Sequence, residues 1–69
     1  MPLRERVARN LRRLRQAKGL SQEELGHRAQ ISGNYVGELE REEKAATVDV
    51  LERLADGLEV DAAAFFVRD

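Results

Sequence analysis

The sequence predicts an all-α fold of five short helices, with a helix-turn-helix at residues 21–40. Three observations carry that expectation. Apolar residues recur at spacings of three and four in successive windows, Ser or Thr stands before several of those windows where an N-cap belongs, and no stretch alternates as a half-buried strand would.

The first helix is expected over residues 3–18, where Leu3, Val7, Leu11 and Leu14 form one stripe and arginines fill most other faces. Pro2 suits its first position and Gly19 its stop. Leu20 then precedes Ser21, which caps a second helix and finds Glu24 three residues on to close a capping box. Leu20 and Leu25 are placed to form a hydrophobic staple across that cap, and Leu25 and Ala29 share one face. Gln30 and Ile31 make the turn. Ser32 caps a third helix anchored by Val36 and Leu39, with Tyr35 beside them. The run from Arg41 to Ala46 has no apolar period and reads as a loop. Thr47 caps a fourth helix whose buried face is Val50, Leu51, Leu54, Ala55 and Leu58, and Asp61 caps a last short helix from Ala62 to Phe66.

Helices two and three are joined so tightly that they must cross steeply, which calls for a small residue, Gly26, at the contact and an apolar plug, Ile31, in the turn. Gly33, Asn34, Gly37 and Glu38 are then expected to point outward. This is a helix-turn-helix pattern, in which the outer helix enters a DNA major groove.

With 69 residues and no cysteine, the chain is expected to be a single domain, 1–69, stabilised by helix packing without disulfides or zinc-thiolate sites. No apolar run suits a membrane span or a signal peptide, so a cytoplasmic location is the expectation. The net charge of −1 is unevenly spread: residues 1–30 carry eight Lys or Arg against three acids, and the remainder carries four against ten. A positive pole around the first helix permits DNA binding, although a solvated arginine face explains the same pattern.

Leu11-Arg12-Arg13-Leu14-Arg15, Lys18-Gly19-Leu20-Ser21-Gln22-Glu23-Glu24-Leu25, Tyr35-Val36, Leu39-Glu40-Arg41 and Leu51-Glu52-Arg53-Leu54-Ala55, in this order and spacing, resemble the phage repressor and Cro-like family of helix-turn-helix regulators. The likeness covers almost the whole chain. It implies a five-helix, repressor-like DNA-binding domain working as a homodimer on double-stranded, pseudo-palindromic DNA. It further implies that Gln22 touches phosphate, that Gly33, Asn34 and Glu38 face base edges, and that Arg15 and Glu40 form an ion pair tying the first helix to the third. Tyr35, and Lys44 in the loop beyond, complete the set assigned to the DNA face. Arg12 and Arg13 are read either as phosphate clamps or as a solvated face. A dimer surface is expected at Leu58, Val60, Phe65, Phe66 and Val67, with only one of the adjacent Phe65 and Phe66 able to fill the core.

The departures from that family are specific. Relatives usually have glycine where this chain has Gln30, Glu42 and Glu59, each just past a helix end, so Gln30 and Glu42 are expected at positive φ despite their side chains. Gly26 and Gly57 stand where the family favours alanine. Glu42 and Glu43 fall where relatives approach phosphate, and Gly33 has no side chain to read a base. Asn34 is the best reader, since an amide pairs bidentately with adenine; Glu38 suits only a cytosine amino group.

No catalytic constellation is evident. Ser21, His27 and Asp49 do not form a nucleophile motif, Ser21 is already a cap, and His27 reads as a solvated surface residue with no metal partner. Neither a cofactor, a metal nor a small-molecule ligand is implied. Two functions are carried forward: a sequence-specific DNA-binding transcriptional regulator, or a helix-turn-helix module turned to protein binding, as an antitoxin or assembly subunit would be. Steep salt dependence and sequence preference belong to the first alone.

Overall fold

A computed structural model describes residues 2–68. Among them stand four α-helices, α1 (Leu3–Ala17), α2 (Gln22–Ala29), α3 (Gly33–Glu40) and α4 (Val48–Leu58), followed by a 3-10 turn at Ala62–Phe66. The expected fifth helix is thus a 3-10 turn. Its five residues are too few to carry a run of α-helical hydrogen bonds, and what holds them is Asp61, whose carboxylate accepts from the Ala63 N–H at 2.8 Å, together with Phe65 in the core.

The caps account for where the helices begin. Ser21 Oγ accepts from the Glu24 N–H at 2.9 Å while the Ser21 N–H donates to Glu24 Oε1 at 2.8 Å, the reciprocal box the sequence calls for. The Ser21 backbone N–H, and then its hydroxyl, hold the Glu24 carboxyl below the usual carboxylate range. Ser32 and Thr47 accept in the same way from Tyr35 and Val50. Pro2 is the extended residue before α1 instead of its first helical residue.

Four helix ends close alike. Gly19, Gln30, Glu42 and Glu59 have φ of 71°, 61°, 64° and 58°, and the N–H of the following residue reaches back to the carbonyl five positions earlier. Those bonds are Leu20 to Arg15, Ile31 to Gly26, Glu43 to Glu38 and Val60 to Ala55, at 2.9 to 3.1 Å. Only the first uses glycine; the other three accept the left-handed conformation with a side chain attached. Leu20, Ile31 and Val60 fold apolar groups back onto the core at three of these ends, whereas Glu43 at the end of α3 is exposed.

The core gathers Leu11, Leu20, Leu25, Ala29, Val36, Leu39, Leu54, Ala55, Leu58 and Phe65. Within it α2 packs on both α3 and α4, and α1 lies chiefly against the 3-10 turn and α3. The α2–α3 contact is close enough that a Cβ on Gly26 would stand 2.7 Å from the Ile31 carbonyl oxygen and 2.8 Å from the Gly33 nitrogen, so glycine there serves the crossing.

Several expectations need correcting. Leu3 is 56% exposed, because the first residue of α1 overhangs the core instead of entering it. Gly37 is buried, not outward, since side chains from α2 and from beyond α3 fold over it. Leu58 and Phe65 were expected at a dimer surface but are enclosed, at 1% and 0% exposure, and have no surface to offer a second copy. Phe66 and Val67 are exposed and Val60 is half-buried, so the expectation that only one phenylalanine fills the core holds.

One tie has no forecast in the sequence reading. Asn10 on α1 is fully buried, donating through Nδ2 to the carbonyls of Phe65 and Val67 at 2.9 Å each and accepting from Arg13 Nη2 at 2.6 Å. All three bonds match what an amide offers at that spot. They fasten the C-terminal segment to the first helix.

Candidate nucleic-acid interface

The outer surface of α3 and the start of α2 form one continuous face. Gln22, Glu23, Gly33 and Asn34 line a shallow groove there, which brings the proposed phosphate residue beside the proposed base reader. Asn34 is exposed. Gly33 is pressed against α2: a Cβ on it would stand 2.7 Å from the Glu23 Cα, so its outward role is replaced by a packing one. The backbone of α3 thereby approaches α2 at its own first turn.

Arg15 and Glu40 meet as expected. Arg15 Nε lies 2.6 Å from Glu40 Oε2 and Nη2 3.0 Å from Oε1, a two-pronged pair, while Nη1 donates to the Leu20 carbonyl at 2.8 Å. The side chains are 12% and 3% exposed. Hydrogen bonding to Glu40 and its charge hold the Arg15 guanidinium above its already high usual range, against the cost of burial. Glu40 Oε1 also accepts from Gln22 Nε2 at 3.1 Å. The pair therefore joins α1 to α3 and aims a residue at the head of α2.

The remaining residues fall into two groups. Arg12 and Arg13 are exposed on α1 and share a second groove with Glu40 and Glu42, although one Arg13 nitrogen is already given to Asn10. At the far end of α3, Lys44 Nζ lies 3.6 Å from Glu38 Oε1 and 5.9 Å from the centre of the half-buried Tyr35 ring. Glu42 and Glu43 are both exposed there, as the sequence warned. His27 is exposed on α2.

Arg41, to which sequence reasoning gave no role, also reaches this face. A Cβ on Gly37 would lie 2.8 Å from Arg41 Nη1 and 3.1 Å from Gln22 Oε1, so the guanidinium bends back over Gly37 toward the side chain of Gln22. The signal was the spacing of Gly37 and Arg41, four apart and so on one helical face.

Residues 11–65 match the helix-turn-helix family HTH_3. A curated relative, described as an uncharacterized HTH-type transcriptional regulator y4dJ from Sinorhizobium fredii, is 43% identical over 60 residues, covering 87% of this chain and 78% of that protein. The fold matches the restriction-modification controller protein C.AhdI from Aeromonas hydrophila with a TM-score of 0.88 at 33% identity, over 91% of this chain and 96% of that one. It matches a hypothetical transcription factor from Neisseria with a TM-score of 0.91 at 33% identity, over 96% and 76%.

Proposed function

The chain belongs to the HTH_3 family of helix-turn-helix proteins, and from that premise we propose that it is a DNA-binding transcriptional regulator that takes a double-stranded operator as a dimer, with α3 in the major groove. The observation that carries this reading is the close crossing of α2 and α3 at Gly26 and Gly33, which leaves Asn34 exposed beside Gln22 on one face. Asn34 reads base edges, and Gln22, steadied by Glu40, contacts phosphate. Arg12, Arg13 and Lys44 add backbone contacts; Tyr35 and Glu38 flank the reader.

Residues 1–69 act as one domain in this reading. A single recognition helix touches only a few base pairs, so two copies are needed for a selective site, their α3 helices about 34 Å apart. The second copy pairs through the apolar residues left open at the C-terminal side, Val60, Phe66 and Val67, continued by the 81% exposed Val48 of α4. That surface excludes Leu58 and Phe65, which stay in the core.

Selection of bound sequences from a random duplex pool tests the reading directly. A pseudo-palindromic consensus is expected. On it, Asn34→Ala should cost roughly 1 to 3 kcal/mol and relax preference at one position in each half-site, while Gln22→Ala weakens all duplexes about equally. A chain that prefers no sequence even at low salt is instead a protein-binding module.

A further inference from the structure

The cations of the recognition segment are already spoken for. Between Gly33 and Ala46 the bases are Arg41 and Lys44 and the acids are Glu38, Glu40, Glu42 and Glu43. Glu40 is committed to Arg15 and Gln22. Lys44 sits by Glu38, and Arg41 is gripped by Glu43, with Nε 2.9 Å from Oε2 and Nη2 3.3 Å from Oε1. Of the four acids, Glu42 alone has a side chain with no hydrogen-bond or ion-pair partner among the described residues.

Position makes the Arg41 pair consequential. Its guanidinium lies over Gly37 next to the Gln22 amide, the group proposed to touch phosphate, and the missing Cβ of Gly37 is what leaves room for both. Both partners of the pair are about half exposed, at 52% and 53%, so the grip is open to exchange with an outside anion. Glu43 is free to hold it because the end of α3 closes through backbone bonds alone: the Glu43 N–H reaches the Glu38 carbonyl at 2.9 Å, and its side chain, unlike those of Leu20, Ile31 and Val60 at the equivalent places, owes nothing to the core.

We propose that Arg41 is a phosphate-contacting residue of the DNA face and that Glu43 is its built-in competitor, a carboxylate that a DNA phosphate must displace. The inference rests on the DNA-binding reading above and adds a determinant of affinity and salt dependence to it. A phosphate that arrives anywhere on a random duplex gains little from Arg41, because the charge it meets is already neutralised and Glu43 must take up a counter-cation when released. A site that also satisfies Asn34 tolerates the same cost, because its remaining contacts carry the complex. Glu43 thus lowers affinity on every duplex, and at a given salt concentration only duplexes with further contacts stay bound. Two of the four acids, Glu38 and Glu43, are set against the segment's own two cations.

The test is equilibrium binding of the full chain to a fluorescent random-sequence duplex across a KCl series, with melting temperature as the control for folding. Glu43→Gln should tighten binding roughly twofold to fivefold, the range an exposed ion pair commands, and make the slope of log K against log salt steeper by about one, the counterion then released in full. Arg41→Ala should erase both gains in the Glu43→Gln background, a coupling between the two positions. Glu42→Gln removes the same charge one residue away, from a side chain that grips no cation, and should steepen the slope less than Glu43→Gln does. Equal gains from Glu42→Gln and Glu43→Gln, or a gain that survives Arg41→Ala, overturn the pairing. A parent with steep salt dependence matched by Glu43→Gln overturns this inference alone; a chain that binds no duplex in either form overturns the regulator reading with it.

Discussion

Helix α1 is tied to the rest of the fold by two polar side chains, the buried Asn10 and the largely buried Arg15, and they differ in kind. Arg15 pairs with a side chain, Glu40, and the two charges meet across α1 and α3 with two parallel hydrogen bonds. Asn10, a turn and a half earlier, pairs with backbone carbonyls 55 and 57 residues away in sequence. The first tether binds α1 to the recognition helix; the second binds it to the C-terminal segment that brings Phe65 into the core. A charged pair leaves two complementary marks in a sequence and so can be suspected from both ends. An amide that satisfies carbonyls leaves one mark, because every residue has a carbonyl.

The comparison predicts different failures. Arg15→Ala should cost the most, about 3 to 5 kcal/mol in chemical denaturation, because it strands the nearly buried Glu40 carboxylate and uncouples α1 from α3. A loss below about 1 kcal/mol would place the pair among ordinary surface contacts and dissolve the distinction. Asn10→Ala should cost about 2 to 3 kcal/mol, since two carbonyls lose their donor, that of Phe65 in a buried site, and a small cavity opens. Its signature is local: amide exchange near Phe65 should accelerate more than exchange in α2 and α3, whereas Arg15→Ala should speed exchange throughout. Matching exchange patterns for the two variants would mean that both tethers serve one cooperative unit.

A smaller effect separates the two partners of Glu40. Gln22→Ala removes one neutral donor from a carboxylate that Arg15 continues to hold, and should cost about 0.5 to 1.5 kcal/mol of stability by thermal or urea unfolding. A loss as large as that of Arg15→Ala would show that the tether is a three-membered unit. Gln30→Gly sets the baseline at a position with no part in either tether. Relief of the left-handed strain is worth up to about 1 kcal/mol and the greater freedom of the unfolded chain takes part of it back, so a small rise in melting temperature is expected. A fall would mean that the Gln30 side chain makes up for its own backbone.

The helices, their caps and the turn between α2 and α3 could be read from the residues, because capping and helical periodicity act over three or four positions and are written locally. Ser21 with Glu24, Ser32 and Thr47 each specify a start without reference to the rest of the chain. Resemblance to a known pattern supplied the Arg15–Glu40 pair and the left-handed Gln30 and Glu42, which the geometry repeats. What tertiary structure alone decided concerns which surfaces are spent. Gly33 and Gly37 lie on the side of α3 that a helical wheel turns outward, yet α2 closes over the first and Gln22 with Arg41 over the second. Leu58 and Phe65 look available for a partner until α2 packs on α4 and α1 on the 3-10 turn, and Leu3 looks buried until the helix proves to overhang. Periodicity says which residues share a face, but which part of that face is covered depends on where a second element arrives in space, and for Asn10 and the carbonyl of Phe65 that meeting spans nearly the whole chain.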